Sequence, residues 1–269
     1  VSLEPCSHHG ETPPCTDALI AAGVARVVSP LQDEDTRVSG RGFAALREAG
    51  IEVETGVLAD EAAQDHAGFF RAKGQGRPFV TLKLASSFDG RIATATGQSK
   101  WITGELARAA VQGLRAWHDA VMVGAGTARA DDPALTVRWP GAVRQPVRVV
   151  VSRRVDIPLL GQLARTAKTT PVWVCHGSDA DSERVRAWSG LGARMIRCGL
   201  TGTQVDAGDA LEKLAEAGLT RILCEGGSAL AASLLAGDFV DELVGFTAGL
   251  AIGAEGLPSI GVLGLSRLD

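Results

Sequence analysis

The chain has 269 residues, of which 45% are hydrophobic and 22% charged, and its formal net charge is −4. This composition is that of an ordinary globular protein. The negative charge gives no electrostatic reason to bind nucleic acid or an anionic membrane, and no apolar run approaches the length of a membrane span.

The cysteines and the start of the sequence suggest the cellular compartment and the position of the natural N-terminus. The five cysteines are scattered and odd in number, which does not suit a disulfide framework, so we expect a protein of the reducing cytoplasm. No signal peptide is recognisable. Because Val1 lies inside a predicted strand, we expect the natural N-terminus to lie upstream of it.

The first part of the chain alternates between short strand and helix patterns. A strand end is predicted at residues 1–3, helices at 15–22, 39–49 and 60–72, and strands at 25–29 and 51–54. This order predicts a layered α/β unit. Residues 73–78 contain two glycines and a proline, interrupt the periodic pattern, and are the predicted linker.

From Phe79 onwards, apolar strand patterns alternate with helical ones. Strands are predicted at 79–85, 120–123, 147–151, 171–175, 195–196, 221–224 and 243–247. Helices are predicted at 104–117, with Thr103 as N-cap, and at 180–188, 211–215 and 228–235. The alternation predicts a mostly parallel sheet covered on both faces.

Two cysteines near the start of the sequence form the first candidate site. Cys6 and Cys15 stand at the two ends of a loop that contains His8 and His9. Two such thiols can bind one zinc ion, although a lone cysteine is more often a small packing residue. Zinc deaminases use one His and two Cys, usually as Pro-Cys-x-x-Cys, and this spacing is longer.

Two glycine turns form the second candidate site. Glu225-Gly226-Gly227-Ser228 joins a predicted strand to the start of a helix, where free N–H groups favour a phosphate. The alternative is a tight turn that needs glycine for its dihedral angles. Residues 124–127 offer a similar turn, and neither turn matches G-x-G-x-x-G, so no ordinary Rossmann fingerprint is met.

Charged residues beside these turns suggest further contacts. Ser152, Arg153 and Arg154 follow the strand at 147–151, where they suit the 2′-phosphate of NADP or form a solvated basic turn. Lys83 lies in an apolar strand, so its amine is either in water at an edge or partnered at a site. Asp131 lies in an Asp-Asp-Pro sequence that is also typical of a plain turn.

The stretch LEPCSHHGETPPC, followed by DALIAAGVARVV, resembles the pyrimidine deaminase domain of the bifunctional riboflavin-biosynthesis deaminase/reductase family. The resemblance implies a partial cytidine-deaminase-like α/β domain over residues 1–73, with Cys6 and Cys15 as zinc ligands. In that family a His-Ala-Glu segment upstream supplies the third protein ligand and the proton shuttle. We therefore expect no deamination by this chain alone. Glu11 departs from the family, where a basic residue is common.

Four later segments resemble the reductase domain of the same family: TLKLASSFDGRIAT, SKWITG, LRAWHDAVMVGAGTARADDPALTVR and ILCEGGSALAASLL. The resemblance implies a dihydrofolate-reductase-like α/β domain over residues 78–269, with its final strands missing, and NADPH as hydride donor. It makes Lys83, Asp131 and Glu225 the catalytic candidates. The implied substrate-binding residues are Ser99, Arg115, Leu135, Arg138 and Glu225. The implied cofactor-binding residues are Ala85, Trp101, Thr127, Asp131, Ser152, Arg153, Gly227, Ser228, Ala229, Leu230, Ala231, Ala232 and Ser233.

The leading hypothesis is therefore an NADPH-dependent reductase of a phosphorylated pyrimidine, fused in the complete protein to a zinc deaminase. By resemblance we expect a homo-oligomer, and from the net charge we expect neither a nucleic-acid nor a membrane partner. One alternative is a single-function reductase whose first 70 or so residues are a remnant docking surface. Another is a zinc-stabilised nucleic-acid-binding module, which the negative charge disfavours.

Overall fold

The structure is a computed structural model that describes residues 1–139, 141 and 144–267, so the end of the predicted second domain at 269 lies outside the described residues. The chain divides into two compact units, Val1–Gly76 (the first unit) and Arg77–Asp269 (the second unit). In the described ranges, no helix combines the length and apolarity needed to cross a membrane.

The first unit is a small α/β layer. Its elements are α1 (Cys15–Ala21), β1 (Arg26–Ser29), α2 (Arg41–Glu48), β2 (Glu52–Thr55) and α3 (Ala59–Gln75). β1 and β2 pair in parallel, with Val27 opposite Val53. Val27, Leu46 and Ile51 are buried between the strands and the helices and form the core of this unit.

One buried carboxylate organises the start of the first unit. Glu4 is only 4% exposed, and it accepts backbone hydrogen bonds from Gly42 and Phe43 in the first turn of α2, at 2.9 and 3.3 Å. It also accepts from the amides of Asp33 and Gly40, at 3.1 and 2.8 Å. A carboxylate is stabilised there because the N-terminus of a helix carries positive partial charge.

The first unit differs from the sequence expectation at two places. Residues 1–3 are not a strand, although the amino group of Val1 donates to the carbonyl of Val28 at 3.0 Å. α3 continues through Gln75 into the predicted linker, and Gly76, with φ +68°, ends it. A glycine tolerates this left-handed conformation without strain, so the helix stops there and not at residue 72.

The second unit contains the larger set of elements. Its strands are β3 (Phe79–Ser87), β4 (Arg91–Ala93), β5 (Ala120–Gly124), β6 (Val147–Val151), β7 (Val172–Gly177), β8 (Arg194–Cys198), β9 (Leu200–Thr201), β10 (Gln204–Val205), β11 (Arg221–Cys224), β12 (Glu242–Ala248) and β13 (Leu257–Pro258). Its helices are α4 (Glu105–Trp117), α5 (Ala125–Asp131), α6 (Gln162–Arg165), α7 (Ser182–Gly190), α8 (Ala207–Glu216) and α9 (Ser228–Ala236).

The main sheet of the second unit has, within the described residues, seven strands in the order β12-β3-β11-β5-β6-β7-β8. All neighbouring pairs in it are parallel, which confirms the predicted α/β fold with a mostly parallel sheet. Helices bury both faces in two apolar clusters. Because the strands are parallel, the turns that follow β3, β5, β6 and β11 all lie at one edge of the sheet.

Three local features of the second unit differ from the sequence expectation. Residues 125–131 form helix α5 where only a turn was predicted, since two glycines in four residues argue against a helix. α4 begins after Gly104, and Thr103 makes no capping bond. The short strands β4 and β13 pair antiparallel with each other outside the main sheet, and neither has a run long enough to show a period.

The close contact between Gly42 and Pro5 leads to a stability prediction. A Cβ at Gly42 would lie 1.9 Å from the carbonyl oxygen of Pro5, so Gly42→Ala should destabilise the first unit by about 1–3 kcal/mol. Gly74→Ala in α3 is the matched control. A Cβ there meets nothing within 4 Å, so this change should stabilise the unit by about 0.5–1 kcal/mol.

Urea unfolding checks this prediction with two probes. All five tryptophans belong to the second unit, so circular dichroism reports both units and tryptophan fluorescence reports the second. We expect the circular-dichroism transition of Gly42→Ala to begin at lower urea while its fluorescence midpoint stays near that of the parent. Equal stability of the two alanine variants would contradict the packing argument.

Candidate active site

Two glycine turns face each other at the edge of the sheet where β5 and β11 end. The amide of Gly124 donates to the carbonyl of Gly226 at 2.9 Å, which holds the turns together. Gly226 has φ +99°, and a Cβ at Gly227 would lie 3.1 Å from Oγ1 of Thr127. The conformation of Gly226 therefore favours glycine, and a side chain at Gly227 would crowd Thr127. The turn also leads directly into α9, whose first amides have no partner within the helix.

The first cavity, of about 600 Å³, opens between these turns. Ten of the predicted site residues line it: Ser99, Thr127, Asp131, Ser152, Arg153, Gly227, Ser228, Ala229, Leu230 and Ser233. Ala231 and Ala232 are not among them. Ala231 is 0% exposed and lies in an apolar cluster against the sheet, and Ala232 is 7% exposed beside Gly261. Their assignment to the coenzyme site stays a prediction.

The second cavity, of about 410 Å³, shares Ser99, Thr127, Asp131 and Gly227 with the first, so the two adjoin. It also contains all three predicted catalytic residues. Besides the four shared residues, the predicted site residues along its walls are Lys83, Ala85, Trp101, Arg115, Leu135, Arg138 and Glu225. The structure thus brings the predicted substrate-binding and catalytic side chains together.

Arg115 and Glu225 form a bidentate ion pair within the second cavity. Nε and Nη2 of Arg115 donate to the two carboxylate oxygens of Glu225, at 2.6 and 2.9 Å. Nη1 donates to the carbonyl of Thr136 at 3.0 Å. The two side chains are only 11% and 10% exposed. Most donors of Arg115 are therefore already used, which leaves little of its fork for a substrate phosphate.

Two glutamines hold the segment 132–138, which walls the second cavity. Oε1 of Gln112 accepts from the amide of Arg138 at 2.8 Å, while Gln145 bonds both the amide and the carbonyl of Val137, at 2.8 and 3.0 Å. Leu135, in this segment, is 2% exposed and has φ +54°. The sequence showed no sign of these glutamines, because no local motif distinguishes them from ordinary polar residues.

Trp101, on the other side of the second cavity, is fixed by a residue that sequence reasoning missed. The guanidinium of Arg108 stacks on the Trp101 ring, 4.6 Å from its centroid, and donates to the carbonyl of Thr103 at 2.8 Å. Trp101 is 67% exposed, and this cation–π contact helps to hold its ring. Arg108 also lines the second cavity, as does the exposed Lys100.

The predicted polar residues Ser152 and Arg153 lie at the far end of the first cavity. Oγ of Ser152 donates to the carboxylate of Asp156 at 2.8 Å. Arg153 pairs with Asp179 at 2.7 Å, and hydrogen bonds from Arg153 hold the pKa of Asp179 below its usual range. Asp156 also pairs with Arg129. The polar donors predicted for a phosphate are therefore already engaged by carboxylates.

Cys6 and Cys15 are neighbours in the first unit. The amide of Cys15 donates to Sγ of Cys6 at 3.3 Å, and that of Thr16 to the carbonyl of Cys6 at 3.2 Å. A side-chain hydrogen bond with Cys6 and partial burial raise the pKa of the Cys15 thiol. Two adjacent thiols suit two positions of a zinc site. Within the described ranges, however, no three His, Cys, Asp or Glu side chains cluster to complete one.

Comparison with known proteins identifies similar chains. The family model described as RibD C-terminal domain matches residues 78–268. The riboflavin biosynthesis protein RibD of Actinobacillus pleuropneumoniae is 40% identical over 270 residues, which cover 100% of this chain and 71% of that protein. The chain therefore spans about seven-tenths of this relative.

Solved structures with the same fold are also similar. Acinetobacter baumannii RibD superposes with a TM-score of 0.82 at 36% identity, covering 97% of this chain and 71% of that one. A Thermotoga maritima protein, titled a diaminohydroxyphosphoribosylaminopyrimidine deaminase/5-amino-6-(5-phosphoribosylamino)uracil reductase, superposes with a TM-score of 0.80 at 35% identity, covering 96% and 68%.

The burial of the cysteines predicts their reactivity. Cys15 is exposed and Cys6 partly exposed, while Cys175, Cys198 and Cys224 are buried in the core, where burial raises the pKa of Cys224 to about 12. Because the reagent must reach the sulfur, a disulfide reagent such as Ellman's should modify two thiols per native chain and all five in urea. The double variant Cys6→Ser/Cys15→Ser should lose the native reaction, and reaction persisting at its parent rate would refute this assignment.

Proposed function

Because the chain belongs to the RibD family of riboflavin biosynthesis proteins and carries the RibD C-terminal domain at residues 78–268, we propose that it reduces 5-amino-6-(5-phosphoribosylamino)uracil. The hydride donor in this proposal is a reduced nicotinamide coenzyme, NADPH by the resemblance of the reductase segments. The observation that carries the proposal is the adjoining pair of cavities, one beside the glycine turns and one lined by charged side chains.

The residues of the first cavity fit such a coenzyme. The unpartnered amides at the start of α9 and the positive end of that helix suit its pyrophosphate. Gly126 faces open space, since a Cβ there would meet nothing within 4 Å, so a phosphate can approach the backbone of this turn. The nicotinamide would lie where the two cavities meet, beside Thr127 and Asp131.

When bound, the coenzyme supplies the hydride, which reaches C1′ of the ring-opened ribosylamino group and yields a ribitylamino product. The protein supplies position and charge. We assign to the ammonium of Lys83 the protonation of the substrate nitrogen that is bonded to C1′. Glu225 is held by Arg115 and is therefore assigned to binding the hydroxyl groups of the opened sugar. Asp131, at the junction of the cavities, is the alternative proton carrier.

In this proposal Arg138 binds the substrate phosphate, whereas Arg115 is paired with Glu225. Arg115 is a positioning residue in this proposal, because its three donor nitrogens bond Glu225 and Thr136. Arg138 is exposed at the wall of the second cavity, and its backbone is fixed by Gln112. The guanidinium of an arginine can pair with two phosphate oxygens. Lys100 and Arg108 add positive charge to the same cavity.

Zinc and oligomerisation stay outside the reductive chemistry. Cys6 and Cys15 would provide two ligands of a deaminase zinc site, and the proposed reduction uses neither. The alternative is a single-function reductase, which a deamination assay distinguishes from the bifunctional protein. We carry over the homo-oligomer from the family as a proposal, which size-exclusion chromatography with light scattering tests.

Replacement of Glu225 tests its role in turnover. Glu225→Gln keeps the shape of the side chain but removes the charge that pairs with Arg115. We expect kcat to fall by about 100-fold, the scale of loss when the reacting sugar is misplaced, and the coenzyme Kd to change less than about twofold, below 0.5 kcal/mol. Loss of reduced-coenzyme absorbance gives kcat, and calorimetry gives Kd.

Glu212→Gln, an exposed change of the same kind on α8, is the matched control and should behave as the parent. Parent-like turnover in Glu225→Gln would remove Glu225 from the mechanism. A parallel loss of coenzyme binding would move it to the coenzyme site.

Replacement of Arg138 tests phosphate recognition. Arg138→Ala should raise the substrate KM by about tenfold or more, the effect of losing at least 1.4 kcal/mol, with little change in kcat. Arg138→Lys should recover part of the loss, because it keeps the charge but not the fork. The dephosphorylated substrate should not respond to either change. Arg144→Ala, at a side chain that is 80% exposed, is the control. Equal losses on both substrates would overturn the assignment.

A further inference from the structure

Helix α4 exposes large apolar side chains and buries polar ones. Leu106 and Trp117 are 88% and 62% exposed, whereas Gln112 is 8% exposed and the side chain of Arg115 is 11% exposed. A surface helix ordinarily turns its apolar side towards the core. A buried polar group costs free energy unless it is hydrogen-bonded. The polar residues on the inner side of α4 are therefore explained by the bonds that they make.

Two of these polar residues hold walls of the second cavity. Arg108 stacks on the ring of Trp101, and Arg115 bonds both carboxylate oxygens of Glu225. Gln112 lies four residues after the first arginine and three before the second, so the three side chains share one side of the helix. Gln112 itself is not among the described residues that line either cavity.

Gln112 bonds the backbone of the residue that we assign to the substrate phosphate. Its Oε1 accepts from the amide of Arg138 at 2.8 Å. Residues 132–138 form neither helix nor strand, so this side chain replaces the partner that regular structure would give the amide. Gln112 and Arg115 lie ~4.5 Å apart along the helix axis. One rigid helix thereby sets the spacing between the backbone of Arg138 and the carboxylate of Glu225.

We propose that Gln112 is a positioning residue for the reduction, and that it sets the preference for a phosphorylated substrate by fixing the backbone from which Arg138 reaches the phosphate. The inference rests on the proposed function and deepens it. Gln112 acts through Arg138 alone, so it affects the binding of the phosphate and not the transfer of the hydride.

Replacement of Gln112 tests the proposal on the full chain. Gln112→Met keeps the length of the side chain but removes the acceptor for the amide of Arg138. The KM of the phosphorylated substrate should rise by about fivefold or more, about 1 kcal/mol, while kcat changes by less than about twofold. The KM of the dephosphorylated substrate should stay at the parent value. Gln112→Asn, whose amide is one methylene short, should shift the same KM and carries the test if the methionine variant is unfolded.

A double-mutant cycle separates positioning from general support of the fold. In the Arg138→Ala background, Gln112→Met should raise the KM of the phosphorylated substrate no further, because the side chain through which it acts is gone. Gln75→Met makes the same chemical change at an exposed position in the last turn of α3, and it should behave as the parent with both substrates.

The outcomes distinguish this inference from the proposed function. A parent-like KM for the phosphorylated substrate in a folded Gln112 variant would overturn the role of Gln112. Equal losses on both substrates, or a full effect that persists without the Arg138 side chain, would show mere structural support and would also overturn it. In each of these cases the proposed reduction stands. No oxidation of NADPH by the parent in the presence of substrate would refute the proposed function, and the role of Gln112 with it.

Discussion

The bidentate ion pair between Arg115 and Glu225 holds together three parts of the reductase unit. It joins α4 to the turn after β11, and a third donor of Arg115 reaches the segment 132–138. Removing one partner of such a largely buried pair typically costs about 3–5 kcal/mol, because the other charge is left uncompensated. The shape of the second cavity therefore depends on this pair.

The parallel sheet decides where the chemistry can take place. Because the strands of the main sheet run the same way, the turns after β5, β6 and β11 meet at one edge and build a single elongated site. This one edge carries the glycine turns, the second cavity and, beyond β6, the ion pairs Arg129–Asp156 and Arg153–Asp179.

Strands that are buried because of their own continuous apolar run were predictable from the sequence. The strands at 147–151 and 221–224 have the predicted bounds, since β-branched or apolar runs identify buried strands. α5 was missed because helix propensity opposes Gly-Ala-Gly, while packing of Ala128 and the neighbouring turn favours the helix. α3 was predicted too short, because the glycine at 74 weakens the helical pattern that tertiary packing sustains to residue 75.

The sequence by itself determined the family, the alternation of strands and helices, and the set of polar residues from which the site is built, because motifs and periodicity are local properties. The tertiary structure alone decided how those residues are paired. Arg115 meets Glu225 across 110 positions, Ser152 meets Asp156, and Gln112 meets the amide of Arg138. Hydrogen-bond partners are chosen by distance in space, so whether a given arginine is free for a ligand or occupied by a carboxylate is settled only when the chain is folded.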